Sequence, residues 1–193
     1  MITTQIKPEA PWPDERLIRE CRHGNQDAWS ALIDKYKNLI FSIPIKFGLS
    51  RDEAADVFQA VCMELHVSLP QLRKPKALPK WLMQTSYHLC LRRKKDRLRS
   101  FDDIEDLEEA PESTEKVPEQ IVHQVEREQI VREAISELPT RCYRMVAMLF
   151  FEDPPRPYDQ VAQELRLATG SIGFIRGRCL EKLRKILQER GFR

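Results

Sequence analysis

Glycine is scarce in this chain, with six in 193 residues, and few stretches alternate apolar and polar side chains. Sandwiches, barrels and hairpin-rich folds need turn signals at intervals of roughly ten residues, so they are excluded and an all-helical protein is expected. The five cysteines (Cys21, Cys62, Cys90, Cys142, Cys179) are odd in number, scattered and without a C-x-x-C pair. They make no disulfide framework, and Cys142 and Cys179 read as small buried residues. An apolar run of membrane-spanning length is missing, as is an N-terminal apolar segment of signal-peptide type, so no membrane insertion and a cytoplasmic location are expected.

Catalytic signatures are lacking as well. No phosphate loop, G-x-S-x-G or H-E-x-x-H occurs. The carboxylate pairs Asp102-Asp103 and Glu108-Glu109 lie in a linker-like stretch where nothing would fix their geometry. Cys62 and His66 stand one helical turn apart, a spacing that suits zinc, but no second pair is placed to complete a site. The expectation is a non-enzyme with no catalytic residue, no metal and no cofactor.

Charge is abundant, and it is distributed in blocks. The formal net charge is only +2. Between Gln71 and Ser100 stand ten basic residues and one acid; between Phe101 and Glu119 stand nine acids and one base. Such segregation suggests a basic binding surface followed by an acidic connector. Four segments follow: a loose N-terminal arm (1–13), a helical domain (14–100), an acidic flexible linker (101–119) and a second helical domain (120–193).

In the first domain, Asp14 and Asp27 read as helix caps, and Gly24-Asn25 as the stop between their helices. Pro44 should kink or break the second helix. Ser50-Arg51-Asp52-Glu53 is a capping-box start for a helix running to about Ser68. After a proline-broken loop with Arg73, Lys74 and Lys76, a fourth helix runs from near Pro79 to about Arg99. Its buried stripe is Leu78, Leu82, Thr85 and Leu89; its opposite stripe is Lys80, Gln84, Tyr87 or His88, Leu91 and Lys95. Together with Trp81 and the Arg92–Lys95 cluster, this face suits single-stranded nucleic acid, with cations on phosphates and aromatic rings against bases.

In the second domain, Ile121–Leu138 is one amphipathic helix and Pro139-Thr140 opens another, with Cys142, Met145, Val146, Leu149 and Phe150 inward. Beyond the rigid turn at Asp153–Pro157, Val161, Ala162 and Leu165 mark a short helix. After a break at Arg166–Gly170, Ile172, Ile175, Cys179, Leu183 and Ile186 mark the next. Two helices so closely joined form a helix-turn-helix. Thr169 or Gly170 is the expected cap of the second, whose outer face carries Ser171, Phe174, Arg178, Lys182 and Lys185. From Ser171 to Arg193 there are seven bases and two acids. Gly170, Gly173 and Gly177 cluster at this helix start, although each interior glycine costs about 1 kcal/mol against alanine. Close backbone approach, to a duplex or another helix, is the expected reason.

The order of parts resembles the extracytoplasmic-function (ECF) group of bacterial RNA polymerase sigma factors, over about Asp14 to Leu187. Glu53-Ala54-Ala55-Asp56-Val57-Phe58-Gln59-Ala60-Val61 is similar to the family's D-A-E-D-L-V-Q-E-V-F, with Ala60 where glutamate is usual. Leu78 to Leu89 is similar to F-R-A-W-L-Y-R-I-A-R-N-L, with Tyr87-His88 where Arg-Asn is usual. Tyr158-Asp159-Gln160-Val161-Ala162 resembles S-Y-E-E-I-A, and Gly170-Ser171-Ile172 resembles G-T-V, followed by Gly173-Phe174 where Lys-Ser is common. The resemblance implies two domains, sigma regions 2 and 4, in an initiation specificity subunit. It implies that Glu53, Asp56, Val57, Gln59, Ala60 and Met63 meet the β′ clamp helices of core polymerase, with the β flap as a further partner.

It also implies −10 DNA contacts from Arg73, Lys74, Lys76, Lys80, Trp81, Gln84, Tyr87, His88, Arg92 and Lys95, including the melted non-template strand. The −35 duplex falls to Thr169, Ser171, Gly173, Phe174, Arg176, Arg178 and Lys182; Phe174 departs from the family's serine, and its own chemistry suits a thymine methyl. Most family members have an anti-sigma factor, which joins the candidate partners. Two other readings stay open: a helix-turn-helix regulator acting without polymerase, and an adaptor whose basic faces meet acidic proteins.

Overall fold

A computed structural model describes residues 12–72, 74–99 and 116–192 of the chain. The expected N-terminal arm up to residue 11, Arg73 and the acidic stretch 100–115 lie outside the described residues. Among the described residues all regular structure is helical, with α1 (Asp14–Arg22), α2 (Gln26–Lys46), α3 (Arg51–Ser68), α4 (Leu78–Arg99), α5 (Glu119–Glu137), α6 (Thr140–Phe150), α7 (Tyr158–Leu165) and α8 (Ile172–Glu189). Short 3-10 turns precede α4 (Pro75–Ala77) and α8 (Thr169–Ser171). The chain forms two compact units that divide within α5, Trp12–Glu126 and the residues from Arg127 on.

The first unit is built on α2, against which α1, α3 and α4 pack. Its core holds Leu17, Ile18, Leu32, Tyr36, Leu39, Ile40, Ile43, Val57, Val61, Leu65, Leu78 and Leu82, with Val125 of the first turns of α5 buried against it. Burying each such side chain contributes about 1.5–3 kcal/mol. Two expected caps are replaced. Asp14 is the first residue of α1, and its carboxylate accepts from the Lys35 ammonium (2.7 Å) and the Tyr36 hydroxyl (2.8 Å) instead, which pins α1 to α2. Asn25, not Asp27, caps α2, accepting from the N–H groups of Asp27 and Ala28.

α2 also runs through Pro44 to Lys46 rather than breaking there. The proline falls in the last turn, where its missing N–H forfeits one bond only, and its ring is buried. The capping box of α3 is as expected: Ser50 Oγ accepts from the Glu53 N–H (3.3 Å), and Glu53 returns a carboxylate oxygen to the Ser50 N–H (2.8 Å).

In the second unit, α6, α7 and α8 close around Ile135, Leu138, Met145, Val146, Met148, Val161, Ala162 and Ile172. α7 stops on Arg166, whose backbone is left-handed at φ 53°, and Leu167 donates back to the Ala162 carbonyl (2.8 Å). Phe150, expected inward, is exposed. Neither Thr169 nor Gly170 caps α8. A 3-10 turn from Thr169 to Ser171 leads into it, and the Ser171 hydroxyl donates back to the Ala168 carbonyl (2.7 Å) rather than capping the helix. Cys142 of α6 and Cys179 of α8, expected as free thiols, are joined as a disulfide with Cα atoms 5.2 Å apart. Cys21, Cys62 and Cys90 remain free, and burial pushes each thiol up, that of Cys90 to about 12.

Candidate nucleic-acid interface

α4 divides cleanly between core and surface. Leu78, Leu82, Met83, Tyr87 and Cys90 are buried. Lys80, Arg92 and Lys95 are exposed, Lys74 and Lys76 stand exposed just before the helix, and Trp81 is half-buried, one side against the core. The open choice between Tyr87 and His88 resolves to His88. Tyr87 is 3% exposed and meets Phe47 edge-on, ring centroids 5.5 Å apart, so it offers no stacking face. His88 lies on the half-buried rim, its Nε2 2.7 Å from the Gln84 amide nitrogen. The surface stripe therefore runs Lys80, Gln84, His88, Lys95, beside Trp81 and Arg92. Lys94 turns away from it, its ammonium 5.1 Å over the Phe47 ring.

On α3, Asp56, Gln59 and Met63 share an exposed face and Ala60 is half-buried. Met63 is 72% exposed, as is Val67 one turn on, which extends this face beyond the expected residues. Val57 is buried in the core and cannot touch a partner directly. The capping hydrogen bonds from Ser50 hold the Glu53 carboxyl below its ordinary range, with smaller help from Arg97 and Arg93. Cys62 and His66 gain no third ligand among the described residues, and the His66 ring packs edge-on to Trp29.

The α8 surface opens at Thr169 and continues with Gly173, Phe174, Gly177, Arg178 and Lys182, all exposed. Phe174 is 69% exposed, with the Arg178 guanidinium 5.4 Å from its centroid. A Cβ built at Gly170, Gly173 or Gly177 meets nothing within 4 Å, so no neighbour among the described residues explains these glycines. Ser171 is half-buried, and Arg176 turns back to the Tyr158 hydroxyl, with its guanidinium 5.8 Å from that ring. Arg176 thus belongs to the joint between α7 and α8 rather than to the outer face.

Several cations of this unit are neutralised within it, and those along the length of α8 are not. Arg132, Arg144, Arg156 and Arg190 are paired with Glu128, Glu164, Glu152 and the pair Glu133/Glu137. Arg178, Lys182, Arg184 and Lys185 have no ion pair among the described residues. All four lie along α8.

No protein-family model matches the chain. Two curated proteins are similar over nearly all of it. It is 23% identical over 187 residues to the ECF RNA polymerase sigma factor SigW of Bacillus subtilis (strain 168), covering 91% of this chain and 97% of that protein. It is 26% identical over 184 residues to the RNA polymerase sigma-H factor of Pseudomonas aeruginosa, covering 91% and 94%. Both proteins are sigma factors by name, and the likeness to each runs over about nine-tenths of this chain. No helix among the described residues is long and apolar enough to cross a membrane.

Proposed function

We propose that this protein is an alternative sigma factor that joins core RNA polymerase, recognises −35 and −10 promoter elements and promotes melting at initiation. The observation that carries this reading is the near full-length similarity to two sigma factors, which gives both helical units and the tether a role. The face of α3 (Asp56, Gln59, Ala60, Met63) docks on the β′ clamp helices; Glu53 and the buried Val57 set its position. Lys74, Lys76, Lys80, Arg92 and Lys95 follow the phosphates of the −10 element. Trp81 receives an unstacked non-template base, a contact of the type worth about 1–3 kcal/mol, with Gln84 and His88 beside it.

The N-terminal half of α8 enters the −35 major groove. Gly173 and Gly177 admit the duplex, Phe174 meets a thymine methyl, and Arg178 and Lys182 hold phosphates. The acidic linker follows the basic RNA path of the polymerase, its carboxylates standing in for nucleic acid.

Replacing Arg178 and Lys182 together by glutamine tests the −35 assignment. Two lost phosphate contacts should flatten the log–log salt dependence of promoter binding by roughly 1.8. Unchanged initiation from this variant would favour an adaptor instead. Tight, salt-sensitive operator binding by the protein alone, with no polymerase association, would favour a free-standing regulator.

A further inference from the structure

Two acids on the docking face of α3 are already occupied within the chain. The Arg93 guanidinium of α4 lies 3.0 Å from an Asp56 carboxylate oxygen. One turn further, Arg97 reaches 3.9 Å from Glu53 Oε1, while the other oxygen of Glu53 serves the capping box. Arg93 and Arg97 sit in the same basic run as Arg92 and Lys95, which have no ion pair among the described residues. One run of α4 cations is therefore split, half open to solvent and half neutralised by the carboxylates of the neighbouring helix.

We propose that Asp56 and Glu53 hold Arg93 and Arg97 off nucleic acid in the free chain, and that a partner presenting its own cations to those carboxylates releases both guanidinium groups to DNA phosphates. This rests on reading α3 as the polymerase-docking helix and α4 as the DNA-facing one. The exchange is chemically easy because the Arg93–Asp56 pair is solvent-accessible, with 45% and 52% of the two side chains exposed, and Arg97 is 65% exposed beside the half-buried Glu53. Exposed pairs of this kind contribute little stability and exchange partners readily. Polymerase docking and DNA binding then share one set of charges, so each favours the other, and the coupling must be reciprocal. The free protein is left with a weaker cationic surface than its sequence suggests, which keeps it from titrating onto nucleic acid before it meets polymerase.

The test begins with the isolated full-length protein and a fluorescein-labelled oligo(dT), followed by anisotropy across a salt series. Asp56→Asn should tighten binding several-fold at low salt and steepen the log–log slope by roughly 0.7, the value for one additional phosphate contact on a single strand. Adding Glu53→Gln, which keeps the capping acceptor, should steepen it by about as much again. Arg93→Gln with Arg97→Gln should leave the free protein's slope unchanged. The same double variant should bind core polymerase several-fold more tightly than wild type, since the carboxylates no longer need releasing, yet lose slope in DNA binding by the assembled holoenzyme.

An unchanged slope for Asp56→Asn, or no detectable oligo(dT) binding by the Asp56→Asn/Glu53→Gln protein at the lowest salt, overturns the proposal. Weaker core binding by the arginine variant overturns it too, because the arginines would then touch polymerase themselves. Failure of wild-type protein to bind core polymerase at all would instead reject the sigma-factor reading, and that measurement is separate from the oligo(dT) series.

Discussion

Replacing Gly173 and Gly177 of α8 by alanine should make the protein more stable and worse at holding a −35 duplex. Glycine in a helix interior costs about 1 kcal/mol relative to alanine, through the backbone entropy lost on folding. Gly177 lies well inside α8, whereas Gly173 lies in its first turn, where the penalty is smaller. Neither has a left-handed backbone, and an added Cβ meets nothing within 4 Å at either position. The two substitutions together should therefore add roughly 1.5 kcal/mol, several degrees in the melting temperature of a unit this small. If the glycines admit the duplex backbone, two methyl groups on that face must hold it away, and binding should fall at least tenfold, about 1.4 kcal/mol. Thermal denaturation and −35 duplex binding by the same preparation give both numbers. A double variant that is more stable and binds the duplex as tightly as wild type would refute close approach as the reason for these residues. A variant that melts lower would show that α8 is packed against something at this face.

Three further effects follow from local geometry. Arg166→Gly should stabilise the second unit by about 0.5–1 kcal/mol in urea denaturation, because a left-handed backbone is strained for arginine and not for glycine. Reduction of the Cys142–Cys179 bond, which spans 37 residues of sequence, should lower the unit's stability by about 3–4 kcal/mol on loop entropy; denaturation with and without a reductant measures it. At the capping box, the Glu53 carboxyl is held below its usual value of 4.5, so its contribution is complete above that value and fades as the pH falls through the lowered one. Ser50→Ala should weaken the start of α3 at neutral pH, by about 1 kcal/mol for the lost cap, and flatten this acid-side dependence only in part in a pH series of unfolding midpoints, because the backbone N–H of residue 50 still donates to the Glu53 carboxylate.

Local chemistry made much of the fold legible from the sequence. The Ser50–Glu53 reciprocal cap is a pattern of neighbouring residues, so the start of α3 could be read directly, and the helical spacing of Val161, Ala162 and Leu165 marked α7 equally well. The errors fall where a residue had a better partner far away in the chain. Asp14 fits a cap by position, yet Lys35 and Tyr36 claim its carboxylate across the α1–α2 contact. Tyr87 and His88 are adjacent on α4, and spacing alone could not say which rotates inward; Phe47, forty residues earlier, decides it. Arg176 follows the cationic rhythm of α8 but finds Tyr158 at the start of α7. The Cys142–Cys179 bond and the Arg93–Asp56 pair both need two helices side by side, and sequence spacing carries no trace of either.

Transcription in vitro with bacterial core polymerase over a library of promoter fragments, with and without this protein, tests the central claim most directly. A sigma factor gives discrete start sites that depend on the protein, each preceded by two shared sequence elements at a fixed separation. Absence of any protein-dependent start site, together with no binding to core polymerase, would contradict it.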